Sequence, residues 1–166
     1  FKIPDDDGFL ELMENPYYIP YNLFLWMKSN FEYESHLPSD ETYSPYEMYI
    51  KKKGVCRDFG TFTAYIEYHQ GYDTYRLVTV FKENIAHMVS VHKEQYGYYS
   101  YISNNQIYRY GLSSFEEIAE KSTEDFKGKY TLKYYFIWNY DGLLVEEPVY
   151  KGKYYEYEDF SKYEWV

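Results

Sequence analysis

Up to Gly71 the apolar residues recur at helical spacing; beyond it they alternate. Phe9, Leu10 and Met13 fall on one side of a short helix predicted over Asp7 to Glu14, which Asn15-Pro16 ends. Leu23, Trp26 and Met27 make the apolar face of a second helix over Pro20 to Asn30, with proline at its start. Phe31 to Pro38 reads as an extended connector. Ser44-Pro45-Tyr46-Glu47 is a capping box, and the helix it opens reaches about Lys52 with Met48 and Tyr49 turned inward. Gly54 terminates that helix, and Phe59, Phe62, Thr63 and Ile66 define a fourth that Gly71 stops.

Tyr75 to Phe81 is rich in strand-forming residues, and Glu83-Asn84 follows as a turn. Over Ala86 to Val91, His87, Val89 and Val91 share one face while Met88 and Ser90 take the other. Tyr98 to Ser103 is a third strand, joined to the second by a hairpin through Glu94 to Gly97. Asn104-Asn105 is a turn, and Ile107 to Tyr110 a fourth short strand. Ser113 or Ser114 caps a helix to about Lys121. Thr131 to Asn139 is an aromatic strand, paired across an Asp141-Gly142 turn with Leu143 to Val145. From Tyr150 to Val166 charges and aromatics alternate, a pattern that fits an edge strand or a loosely held end. Helices first and antiparallel strands after them make an α+β architecture, with the fourth helix packed on the sheet. There is no internal repeat or linker, and a single domain over residues 1–166 is expected, its core at about 20–150.

Composition changes this picture little. Tyrosine supplies 26 residues and phenylalanine 11, against alanine at positions 64, 86 and 119 alone, which favours strands and leaves many hydroxyls to be kept near water. The net charge of −10, with Lys51-Lys52-Lys53 as the one basic run, argues against nucleic acid as a partner. Asp5-Asp6-Asp7 reads as a solvated helix start, and no EF-hand, zinc or phosphate-loop spacing is present, so neither metal nor cofactor is expected. One cysteine precludes an internal disulfide. No apolar run is long enough to span a membrane. The chain starts at Phe1, so its first residues say nothing about secretion; the compartment stays open, with a soluble cytoplasmic protein favoured.

The lone cysteine, Cys56, follows the glycine break at the start of the fourth helix. Unpaired N–H groups and the positive end of the helix dipole favour a thiolate there, which would lower the thiol pKa and make a nucleophile. The alternative is a small buried hydrophobe. A nucleophilic thiol needs a base. His36 lies in a polar loop, His69 sits almost four turns along the helix, and His92 ends its strand facing away from His87. His87, early in its strand, is the best partner. His87 and His92 lie on opposite strand faces, so a metal shared by Cys56, His87 and His92 is disfavoured.

Gly-Val-Cys-Arg-Asp-Phe at 54–59, the aromatic helix after it, Ala-His-Met-Val-Ser-Val at 86–91 and Gly-Tyr-Tyr-Ser-Tyr-Ile-Ser-Asn at 97–104 together resemble the transglutaminase-like superfamily of papain-like fold. Leu23 to Met27, Phe31 to Tyr33 and Ser44-Pro45 are similar to that family's lead-in, so the resemblance covers roughly residues 20–105. It implies Cys56 as nucleophile and His87 as general base and acid. The third member, usually Asp in the family, falls here at Ser103, Asn104 or Asn105, and Asn104 is chosen. Asp58 also matches a family position and is read as structural, bonding near the helix start. The oxyanion donors would be the Cys56 main-chain N–H and one upstream group. The implied activity is acyl transfer through a Cys thioester, with hydrolysis of an amide or peptide bond favoured and a protein or peptide as substrate. The alternative is a degenerate, peptide- or protein-binding module on the same fold.

Overall fold

The computed structural model describes residues 3–36, 41–140, 144–150, 153–154 and 160–166, with side chains placed in all of these but 144–150 and 153–154. Three helices lead. α1 (Asp7–Glu14) is capped by the Asp6 carboxylate, which accepts from the N–H groups of Gly8 and Phe9. α2 spans Pro20–Asn30. The next stretch holds a two-residue strand, β1 (Glu32–Tyr33). α3 (Pro45–Lys51) carries the reciprocal Ser44–Glu47 capping box and ends in a left-handed Lys52. A second short strand, β2 (Lys53–Gly54), pairs in parallel with β1 and delivers the chain to α4 (Cys56–His69).

The sheet follows: β3 (Thr74–Phe81), β4 (Ile85–Lys93), β5 (Tyr99–Ser103) and β6 (Ile107–Leu112), then α5 (Phe115–Glu124) and β7 (Leu132–Asn139), β8 (Leu144–Tyr150) and β9 (Lys153–Tyr154). Their spatial order is β6-β5-β4-β3-β7-β8-β9, antiparallel at every pairing. β10 (Glu164–Trp165) returns from the far end of the chain and pairs in parallel with Ile85 and Ala86 of β4. The predicted α+β class and the packing of α4 on the sheet are both observed. The stretch from Tyr150, which sequence left as an edge strand or a loose end, does neither at its last residues: it goes to the middle of the sheet. The Asp141-Gly142 turn and Leu143 lie outside the described residues.

Three layers result. α4 is wrapped on its outer side by the first three helices, where Phe9, Leu23, Met27 and Met48 close around Phe59, Phe62 and Ile66. Its inner side meets β4 closely at Gly60, where a Cβ would lie 2.8 Å from Met88 Sδ and 2.9 Å from its Cγ. α5 covers the opposite face, with Ile118 and Ala119 over Leu77, Val89, Tyr101 and Ile137. The strand alternation is therefore a sorting rule. Ala86 and Met88 face α4, while Val89 and Val91 face α5.

Candidate active site

The site is built where the β2–α4 turn meets β4. Gly54 is required there by close approach: an added Cβ would fall 2.6 Å from an Asp58 carboxylate oxygen. That carboxylate accepts from the main-chain N–H of Val55 at 2.8 Å and of Tyr43 at 2.7 Å, and it pairs with His36 Nε2 at 2.7 Å. Asp58 thus caps α4 and ties the loop from 41 to 44 to the helix tip, the structural placement expected for it. His36 is no polar-loop bystander, since its ring stacks on Tyr43 at 3.9 Å.

Cys56 sits at the first residue of α4 and is fully buried, in a cluster with Val78, Val80, Ala86, Met88 and Tyr163. Burial pushes its thiol up to about 12, against the main-chain N–H of Met88 and the Arg57 charge, which both favour the thiolate. Sequence reasoning weighed the helix terminus and expected a lowered value. Desolvation outweighs the dipole here because other side chains close over the sulfur.

His87 is also buried, one residue before the Met88 N–H that approaches the sulfur. Burial draws its ring down to about 4. Its Nε2 lies 2.8 Å from Ser103 Oγ, and the ring packs edge-on to Phe126 at 5.0 Å. The ring lies with Val89 and Val91 on the α5 face of β4, where the Val166 carbonyl approaches it, whereas Cys56 lies with Ala86 and Met88 on the α4 face, and no hydrogen bond joins the two.

The ring therefore meets Ser103, where sequence reasoning chose Asn104. Asn104 has a left-handed backbone, φ 52°, and its Nδ2 donates to the Val166 carbonyl at 3.4 Å. Asn105 turns the other way, its Nδ2 donating to the carbonyls of Met27 and Phe31. The signal for Ser103 was available. Tyr101 and Ser103 alternate on one face of β5, and that face continues the one on which His87, Val89 and Val91 lie.

Tyr33 was missed altogether. Its hydroxyl donates to the Trp165 carbonyl at 3.0 Å, and the Cys56 main-chain N–H approaches the same phenol oxygen. Burial and the neighbouring Cys56 raise its pKa. No local pattern marks it, because the pairing of β1 with β2 is what carries Tyr33 to the tip of α4.

The other histidines serve elsewhere. His69 packs at 4.5 Å, tilted, against Tyr65 at the far end of α4. His92 bridges Glu67 of α4, at 2.7 Å, and Glu94, at 2.9 Å. Among the described residues no group of His, Cys, Asp or Glu side chains is arranged to hold a metal ion, and no helix is long and apolar enough to cross a membrane.

Comparison with known proteins places the fold and the family. LapG of Legionella pneumophila in its calcium-bound form superposes with a TM-score of 0.51 at 16% identity, over 90% of this chain and 79% of that one. A second LapG structure gives 0.49 at 17% identity, over 81% and 77%, and an EGTA-treated one 0.49 at 16%, over 84% and 78%. The first supports a shared fold. No curated protein matches the sequence. The sequence model of the transglutaminase-like domain matches residues 14–126, which span α2, the Cys56 helix, the His87 strand and α5. The chain belongs to the transglutaminase-like domain family.

Proposed function

We propose that this protein is a cysteine-dependent acyl-transfer enzyme that hydrolyses an amide or peptide bond of a protein or peptide substrate. One observation carries the reading: a cysteine at a helix N-terminus lies against the main chain of the strand segment that holds a histidine, one nitrogen of which is held by Ser103. For the chemical step the His87 ring, which packs on Phe126 on the α5 face, turns toward the sulfur and takes the thiol proton as Cys56 Sγ attacks the carbonyl carbon. The C–N bond breaks, the leaving amine takes that proton, and a thioester remains. Water, deprotonated by the same ring, attacks the thioester, releases the acid and restores the thiol. The oxyanion meets the Cys56 main-chain N–H and the Tyr33 hydroxyl, which supplies the upstream donor. Ser103 is a positioning residue: it holds the ring but brings no charge to stabilise the imidazolium.

The test is hydrolysis of a quenched fluorescent peptide library by the parent and by Cys56→Ala. Turnover by the parent that vanishes in the variant supports the reading; equal turnover in both overturns the nucleophile.

A second reading is favoured by one specific finding. The thiol at about 12 and the ring at about 4 are both neutral near pH 7, beside a hydroxyl and not a carboxylate. A protein with such a pair would bind peptides without turning them over. Saturable peptide binding with no Cys56-dependent turnover selects this reading.

A further inference from the structure

Cys56 is buried against β3 and β4, and its cluster is closed, through Tyr163, Phe160 and Trp165, by one short segment, Phe160–Val166. It is the one parallel partner of the main sheet, in which all other pairings are antiparallel among the described residues. Its main chain docks through two bonds of 3.0 Å each, Glu164 N–H to the Asn84 carbonyl and Val166 N–H to the Ala86 carbonyl. Tyr163 packs beside Cys56. The Trp165 carbonyl accepts from Tyr33, whose oxygen is also approached by the Cys56 N–H. The Trp165 ring lies under the Arg57 guanidinium at 4.8 Å. The Val166 carbonyl accepts from Asn104 and lies toward the His87 ring. Cavities of about 580 and 480 Å³ flank the segment, and Arg57 and Trp165 line both, so the segment lies in a trough larger than itself.

Each of these contacts is one that a peptide substrate would make. The Trp165 carbonyl is held by the Tyr33 hydroxyl, which itself accepts from the Cys56 N–H, and the carbonyl of the next residue approaches the histidine. The edge of β4 on this side is paired to β10 at Ile85 and Ala86, and to β5 from Ser90 onward, so a short gap at His87 and Met88 opens onto the sulfur.

We infer that Phe160–Val166 occupies the substrate groove as a built-in competitor, and that the substrate is an extended peptide that displaces it. The incoming strand adds in parallel to Ile85 and Ala86 of β4 and places an aromatic side chain against Arg57. The inference rests on the proposed function for the word substrate; the groove itself does not. With the segment seated, the thiol is shielded and its pKa high. With the segment out, water reaches the sulfur and the helix terminus can favour the thiolate.

The experiment follows alkylation of Cys56 by iodoacetamide, read by intact mass at fixed pH. The full chain is compared with Glu164→Pro/Val166→Pro, which removes both docking N–H groups without touching the Cys56 cluster. The expected result is at least a tenfold faster alkylation in the variant, and restored protection when the heptapeptide Phe-Ser-Lys-Tyr-Glu-Trp-Val is added. An unchanged rate, or a fast rate that the heptapeptide does not slow, overturns the inference. If the proline pair unfolds the chain, as far-UV circular dichroism would reveal, Trp165→Ala carries the same two comparisons, because it keeps the main-chain donors and loses the Arg57 contact. Alkylation needs no turnover. Protection without any hydrolysis keeps the groove and removes the enzyme reading, and Cys56-dependent hydrolysis without protection does the reverse.

Discussion

Ser103 Oγ stands 2.8 Å from His87 Nε2, so the ring is held by a hydroxyl and not by a carboxylate. The pair holds the ring by Nε2, and in the proposed mechanism Nδ1 is the nitrogen that serves the thiol. It does so without adding charge, and this sets the first expectation. Ser103→Ala should lower kcat roughly 10- to 100-fold with KM little changed, because the ring loses its orientation and substrate contacts do not. Ser103→Asp should raise the His87 pKa, measurable by NMR titration of the ring. A ring pKa that stays put in Ser103→Asp would separate Ser103 from the chemistry.

Asn104 should behave as a turn residue. Its side chain misses the ring, and its backbone is left-handed at φ 52°. Asn104→Ala should cost about 1 kcal/mol of stability, and Asn104→Gly less, with hydrolysis retained in both. A Gly variant that melts like the parent yet has lost kcat would return Asn104 to the catalytic set.

Cys56→Ala should leave the melting temperature within a few degrees of the parent, since one sulfur is removed. Phe62→Ala should cost about 3–5 kcal/mol, because Phe62 is wholly buried between Phe31 and Trp26. Urea denaturation of both variants checks the contrast, and a Phe62→Ala midpoint equal to the parent's would place the core elsewhere.

Two histidines on β4 tie stability to pH with opposite signs. Burial holds His87 at about 4, below its unfolded value near 6.5, so the unfolded chain binds the extra proton between these limits. Stability therefore rises with pH across that window, by on the order of 3 kcal/mol. His87→Gln should flatten the rise in melting temperature between pH 4 and 6.5. A slope that persists in the variant would assign the acid sensitivity to other groups.

His92 runs the other way. Burial pulls it down, but the carboxylates of Glu67 and Glu94 outweigh burial and hold it above its ordinary value, with the Tyr72 and Tyr108 rings packed around it. Its contribution is complete below about pH 6.5 and fades as pH rises through the folded value. Glu67→Gln should therefore destabilise more at pH 6 than at pH 9. Equal losses at both would mean the pair contributes no charge.

Much of this molecule was legible in its sequence because its local signals agree. The Ser44–Glu47 box, the Asn15-Pro16 stop and the Asn84 turn each act within a few residues, and the elements follow them. Cys56 and His87 were legible for the same reason, as a helix tip and a strand position. What failed was tertiary. The thiol is buried by residues of β3 and β4 and by Tyr163, more than a hundred residues away, and nothing near Cys56 signals that it will be covered. Tyr33 reaches the site through a strand of two residues, too short to leave an alternation. Ser103 against Asn104 was a question of one residue at a strand end, where the side-chain face inverts with each step.

A Cβ on Gly60 would lie 2.8 Å from Met88 Sδ, so the helix approaches β4 there without a side chain of its own between them. Gly60 lies one turn beyond the thiol, so the helix cannot retreat from β4 there without also changing how far the sulfur stands from the strand. The spacing between the thiol and the β4 main chain is then a mechanical dimension of the fold, set by a residue with no chemistry of its own. A single methyl at position 60 acts as a shim, and where Met88 does not yield, it moves helix and strand apart by tenths of an ångström. Reactivity at Cys56 can be retuned from a site that touches neither substrate nor proton.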